Sequence, residues 1–103
     1  MLIARSVDGV PIRLTGERWD HICQRHPELN NQKERVLETL RDPTEVLKGD
    51  FGEKLAVRFY RQTPLTTKFL VVAYKEIGRG DGFVATAYFT RRVAPWRERL
   101  WTR

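Results

Sequence analysis

Six apolar residues stand in an unbroken row from Phe69 to Tyr74, inside the segment "KFLVVAYKEI". A run this short, rich in β-branched and aromatic side chains, suits a strand, and apolar side chains on both of its faces mark a central one. It falls far below the roughly 20 residues that a membrane-spanning helix needs. Its neighbours in the chain alternate. "EKLAVRFYR" sets Leu55, Val57 and Phe59 against Lys54, Ala56, Arg58 and Tyr60, so one face is expected to be buried and the other wet. "GFVATAYFTRR" sets Phe83, Ala85, Ala87 and Phe89 inward, with Val84, Thr86, Tyr88, Thr90 and Arg92 outward. The three segments predict an antiparallel meander, preceded by a short strand in "TEVLKGD" and a turn at "GDFG". "IGRGDGF" joins two of the strands with no helix after it, which makes it a hairpin loop and not a phosphate-cradling loop.

The first 43 residues follow another period. "VDGV" at 7–10 is an Asp-Gly turn that predicts a hairpin with strands near 2–7 and 10–14. Thr15 is a good N-cap, and Trp19, Ile22, Cys23 and His26 recur as one face of a helix that Pro27 closes. Asn31 and Glu34 have the spacing of a capping box, and Val36, Leu37 and Leu40 form the apolar stripe of a second helix that stops at Asp42-Pro43. The fold class predicted is α+β, an N-terminal hairpin and two helices packed on a twisted antiparallel sheet, in one domain over 1–103. Its basic tail, 92–103, carries Trp96, Leu100 and Trp101 and can either dock on its own sheet or meet a partner.

Charge is unevenly placed. Residues 1–53 hold eight Lys and Arg against ten Asp and Glu, whereas residues 54–103 hold eleven against three. Fourteen of the nineteen basic residues are arginine, whose planar fork suits phosphate. Such asymmetry favours a polyanionic partner, with a merely solvating basic face as the alternative. A lone Cys23 cannot form an internal disulfide and the N-terminus lacks the pattern of a secretory signal, so a soluble cytoplasmic protein is expected.

Within "RWDHICQRHPEL", Arg18, His21 and Arg25 share one helix face, while His26 lies in the apolar stripe. Imidazole exchanges protons near neutral pH, which makes His21 and His26 the acid-base candidates; an exposed histidine without a role and a histidine packed at a helix end are the plain alternatives. The five-residue spacing of the pair does not match a helical metal-ligand pair, and no cysteine cluster could complete a site, so neither metal nor cofactor is expected. The outward strand residues Lys54, Arg58, Tyr60, Thr86, Tyr88 and Thr90, with Arg91 and Arg92 at the strand end, offer cations and hydroxyls for phosphate and rings for bases. Thr and Tyr are also favoured in strands for packing alone.

The order of these elements, with "RWDHICQRHPEL", "LRDP", "LAVRFY", "FLVVAY" and "FVATAYFTRR", resembles the small nucleases of the Barnase-EndoU-Colicin-RelE superfamily, above all its phage-associated branch, and is similar to the BrnT-type and RelE-type toxins. The likeness spans about residues 5–92, although the tail has no late tyrosine of the RelE kind. It implies a RelE/barnase-like fold and metal-independent endoribonuclease activity, in which the ribose 2′-hydroxyl attacks the adjacent phosphate. It also implies RNA and an acidic antitoxin as partners, with work on the ribosome as one setting. By position, His21 or His26 would exchange protons, Arg25, Arg58 and Arg91 would hold the phosphate, and Thr86, Tyr88 and Thr90 would orient it. Arg18, Lys54, Tyr60 and Arg92 would bind the strand. A non-catalytic module of the same fold, binding RNA, single-stranded nucleic acid or an acidic protein, is the alternative reading.

Overall fold

The apolar run at 69–74 lies in the middle of a seven-stranded sheet. In the computed structural model, which describes residues 1–103, the chain forms β1 (Leu2–Arg5), β2 (Pro11–Leu14), α1 (Gly16–Arg25), a 3-10 turn (Pro27–Leu29) and α2 (Lys33–Arg41). The strands β3 (Glu45–Lys48), β4 (Lys54–Phe59), β5 (Phe69–Glu76), β6 (Gly82–Thr90) and β7 (Arg99–Thr102) follow. Their spatial order is β1-β2-β6-β5-β4-β3-β7. The fold is α+β, as its sequence pattern predicts, with two corrections. The N-terminal hairpin does not pack on the sheet but extends it, and the sheet is mixed, because β2 runs parallel to β6 through Ile12–Gly82 and Arg13–Phe83 while every other pair is antiparallel. No helix is long and apolar enough to cross a membrane.

Local chemistry accounts for most element ends. The Thr15 hydroxyl accepts from the Arg18 N–H at 3.1 Å and caps α1. The last bond of that helix, from His26 N–H to Ile22 C=O at 2.8 Å, precedes Pro27, whose ring excludes helical backbone at the residue before it. Along α1, Ile22 is fully buried while Trp19 and Cys23 pack on the core as half-buried neighbours, which is the predicted stripe. The expected capping box fails. Asn31 takes left-handed backbone (φ 68°) at the exit of the 3-10 turn, and α2 begins after Gln32 with no side-chain cap. The first hairpin is also one residue wider than a two-residue turn: Gly9 N–H bonds to Ser6 C=O, Ser6 N–H to Val10 C=O, and Gly9 supplies the positive φ of 81°.

The larger correction concerns faces. Residues opposite one another in neighbouring strands share a face, so Ala56, Val72 and Ala87 form one row, and Val57, Val71 and Tyr88 form the next row on the other side. The helices cover the side of Ala56, Leu70, Val72 and Tyr74, with Val36, Leu37 and Leu40 of α2 against them. Leu55, Val57 and Phe59 are therefore on the helix-free side, and Ala56, predicted wet, is fully buried. In β6 the register shifts opposite Ala73 and Tyr74, leaving Ala85 as an extra residue. This bulge sends Val84 into the core with Ala87 and Phe89 and removes Ala85 from it, which strict alternation could not foresee.

The tail docks as β7 against β3, and its Trp101 packs on the core. Gly82, where β2 meets β6, has no room for a side chain: a Cβ would lie 2.6 Å from both Ile12 Cδ1 and the Lys75 carbonyl oxygen. Gly82→Ala is expected to cost about 1–3 kcal/mol, the usual penalty of overpacking, read as a lower urea midpoint at unchanged m-value. An unchanged midpoint would mean that the β2–β6 junction is looser than described.

Candidate active site

To reach the far edge of the sheet, the chain leaving β6 has to pass β5, β4 and β3 before it pairs as β7. Residues 91–98 make that passage across the helix-free face, where Val93 packs on the cluster of Leu47, Leu55, Val57, Val71 and Ala73. Between strap and sheet lies a groove of about 170 Å³. Leu47, Leu55, Val57 and Val71 line it as floor, Tyr88, Thr90 and Arg92 stand on the β6 side, and Arg97 belongs to the strap.

Arg97 is anchored. Its guanidinium makes two bonds to the Asp50 carboxylate, at 3.0 and 2.9 Å, and a third to the Lys48 carbonyl at 3.1 Å. The same bonds hold the Asp50 carboxyl below the ordinary carboxylate range. Trp96 stacks on this guanidinium, 4.5 Å from ring centre to Cζ. Burial raises the Tyr88 phenol above its ordinary value, Glu53 adds to the rise and Arg97 opposes it, so Tyr88 keeps its proton as a hydrogen-bond donor.

α1 brings the histidine. β2 pairs with β6 only through Gly82 and Phe83, which leaves the later part of that edge open, and α1 contacts it there. Arg18 Nη1 lies 3.5 Å from the Ala85 carbonyl near the start of the helix, and the His26 ring lies 6.0 Å from the Tyr88 ring beyond its end. The Glu28 carboxylate is 3.6 Å from His26 Nδ1.

The sequence-predicted residues thus divide. Tyr88, Thr90 and Arg92 come together in the groove lining, and His26 stands outside that lining with its ring 6.0 Å from the Tyr88 ring. His21 is exposed, over a wide open hollow lined by Thr15, Glu17, Arg18, Asp20, His21 and Gln24, none of them apolar and none of them part of the groove. Arg25 and Arg91 are exposed, without a carboxylate in ion-pair range. Thr86 shares the face of Tyr88 but sits beside the bulge, outside the groove lining.

Arg58, Tyr60 and Lys54 do not belong with the groove. Arg58 and Lys54 face the helix side in register with Leu70 and Tyr74. Arg58 is bound to the Asp42 carbonyl and carboxylate and stands 3.5 Å from Glu38. The Tyr60 hydroxyl donates to Glu38 at 2.6 Å. Lys54 is paired with Glu76 and with Asp8 at 2.8 Å, and the Ser6 hydroxyl donates to the same Glu76. A half-buried cation needs such partners, and these are spent on structure. Arg97, the residue missed, is one of three arginines in "PWRERLWTR", and nothing local in that segment distinguishes the one that turns under the strap. No family model, curated protein or solved structure matches the chain, so function rests on this geometry.

All three tyrosines resist ionisation: burial and the Glu38 bond push Tyr60 up to about 12, and burial raises Tyr74 and Tyr88 as well. The unfolded chain releases these protons near 10, so the contribution to stability is complete below pH 10 and is lost as pH rises toward 12. Ultraviolet titration of the folded protein at 295 nm should place every phenolate step above that of free tyrosine, and a step at the free-tyrosine position would contradict the desolvation of the ring that gives it.

Proposed function

We propose that the protein is a metal-independent endoribonuclease of the RelE/barnase type, acting at the groove beneath the 91–98 strap. The observation that supports this reading is the approach of the His26 ring, at 6.0 Å, to the ring of Tyr88, which lines a hollow that Arg92 and Arg97 border. Cleavage of RNA by its own 2′-hydroxyl requires a base, a proton donor and cations near the phosphate, and no protein nucleophile. His26 takes the proton of the 2′-hydroxyl, and the freed oxygen attacks phosphorus. The bond from phosphorus to the 5′-oxygen breaks, leaving a 2′,3′-cyclic phosphate. The departing 5′-oxygen takes the Tyr88 proton, which the neighbouring His26 imidazolium restores. Arg92, which has no carboxylate partner, offsets the charge that develops on the phosphoryl oxygens, and the Thr90 hydroxyl orients one of them.

The same reading includes the role of a toxin restrained by an acidic partner, with Arg91, Arg92 and the other unpaired cations as its target. Of the two histidines that the sequence offers, His21 has no part in the step.

In RNA digests containing EDTA, the protein should yield cyclic phosphate and 5′-hydroxyl ends, and His26→Ala should lower the rate by roughly 10²- to 10⁴-fold, the usual worth of a positioned acid-base group. His21→Ala should stay near wild type. Binding without any product at stoichiometric protein would replace this reading with that of a non-catalytic nucleic-acid-binding module, and equal loss in the two variants would remove the assignment of the step to His26.

A further inference from the structure

The fold pairs five of the eleven basic residues in the second half of the chain. Lys54, Arg58, Arg97, Arg99 and Arg103 each have a carboxylate within ion-pair range. Arg61, Lys68, Lys75, Arg79, Arg91 and Arg92 have none, and their grouping is informative. Lys75 and Arg79 lie toward the β5–β6 hairpin. The other four gather at the opposite end of the sheet, where β4 ends, β5 begins and β6 ends. Tyr60 N–H bonds to Lys68 C=O there, and Lys68 Nζ reaches back to the Arg61 carbonyl at 2.6 Å.

At this same end two aromatic rings are left uncovered. Phe59 is 50 % exposed although it closes a strand whose preceding residues are largely buried. It packs edge-on against half-buried Phe69, with ring centres 5.5 Å apart. Phe59 pairs with Phe69 and Phe69 with Thr90, so the three share the helix-free face. This row lies one pleat repeat, about 6.6 Å, beyond the row of Val57, Val71 and Tyr88 that forms the groove. Arg61 follows two residues after Phe59 and Arg92 two after Thr90.

We infer that Phe59, backed by Phe69, is a stacking platform for an unpaired base of single-stranded RNA, with Arg61, Lys68, Arg91 and Arg92 neutralising the phosphates on either side of that nucleotide. The inference rests on the groove being an RNA site, and it names where the strand runs on leaving it. Exposed aromatic faces interleaved with unpaired cations are the recognition surface of single strands, because every base has a π-face and each phosphate a charge. A duplex, whose bases are stacked on one another, cannot use Phe59 in this way. The platform adds affinity with little sequence preference, and it makes the protein a single-strand binder beyond the one phosphodiester held in the groove.

The test is fluorescence anisotropy with fluorescein-labelled 2′-O-methyl hexauridylate, which lacks the attacking hydroxyl and is not consumed. Phe59→Ala and Phe59→Leu should each weaken binding about tenfold, the loss expected for one base stack, while Phe59→Trp should retain it. Replacing Arg61 and Arg91 together with Gln should make the dependence of log Kd on log salt shallower by about 1.4, since each single-strand phosphate contact contributes about 0.7. Circular dichroism establishes that each variant is folded. No binding by wild type, wild-type affinity in Phe59→Ala, or wild-type affinity in Phe59→Leu would each overturn the platform. The two proposals fail separately: tight, Phe59-dependent binding with no cleavage of unmodified RNA removes the nuclease and keeps the platform, whereas cleavage with Phe59-independent binding does the reverse.

Discussion

Everything at the candidate site depends on the short pairing between β2 and β6. A strand edge left open exposes unpaired backbone groups, and a fold has to cover them or leave them to other chains. β2 covers β6 through only two residues before the chain turns into α1, so the helix takes over where the strand stops. Ile22 fixes its roll by entering the core, Arg18 reaches the Ala85 carbonyl, and Pro27 ends it with His26 beside Tyr88. The position of the imidazole is thus a consequence of edge protection. It needs no loop held in strain.

The two faces of the sheet have separate work. On the helix side the core is continuous, and the charged residues at its margins are tied into pairs: Arg58 with Asp42 and Glu38, Lys54 with Glu76 and Asp8. A cation that is partly desolvated is tolerable only with such partners. The other side is covered by a single strap, because the chain crosses it once on the way from β6 to the outer edge at β7. One extended segment cannot close a whole sheet face. What remains open beside it is the groove, the Phe59 and Phe69 rings, and the cations at their end of the sheet.

Legibility in the sequence followed the range of the interactions concerned. The stripe Trp19, Ile22, Cys23 and His26, the Thr15 cap, the stop before Pro27, the double-sided burial of β5 and the hairpin at 77–81 are set by contacts within a few residues, and each was readable. Faces were not. Alternation in β4 divides Leu55, Val57 and Phe59 from Ala56, Arg58 and Tyr60 correctly, but both sets are partly covered, and hydropathy alone assigned the helices to the wrong one. In β6 a single extra residue at Ala85 shifts the phase for everything before it.

By itself the sequence determined the α+β class, the order of elements as far as β6 and the presence of a histidine at the end of an amphipathic helix, since periodicity and capping are local and act before any long-range contact forms. Only the tertiary structure decided that His26 and not His21 approaches Tyr88, that Arg58 and Lys54 are consumed by ion pairs, and that Arg97 comes to the groove from a segment near the other end of the chain. These outcomes depend on which strand edge is open and which face the strap crosses. Both are set by the packing of elements far apart in sequence, and no window of neighbouring residues carries that information.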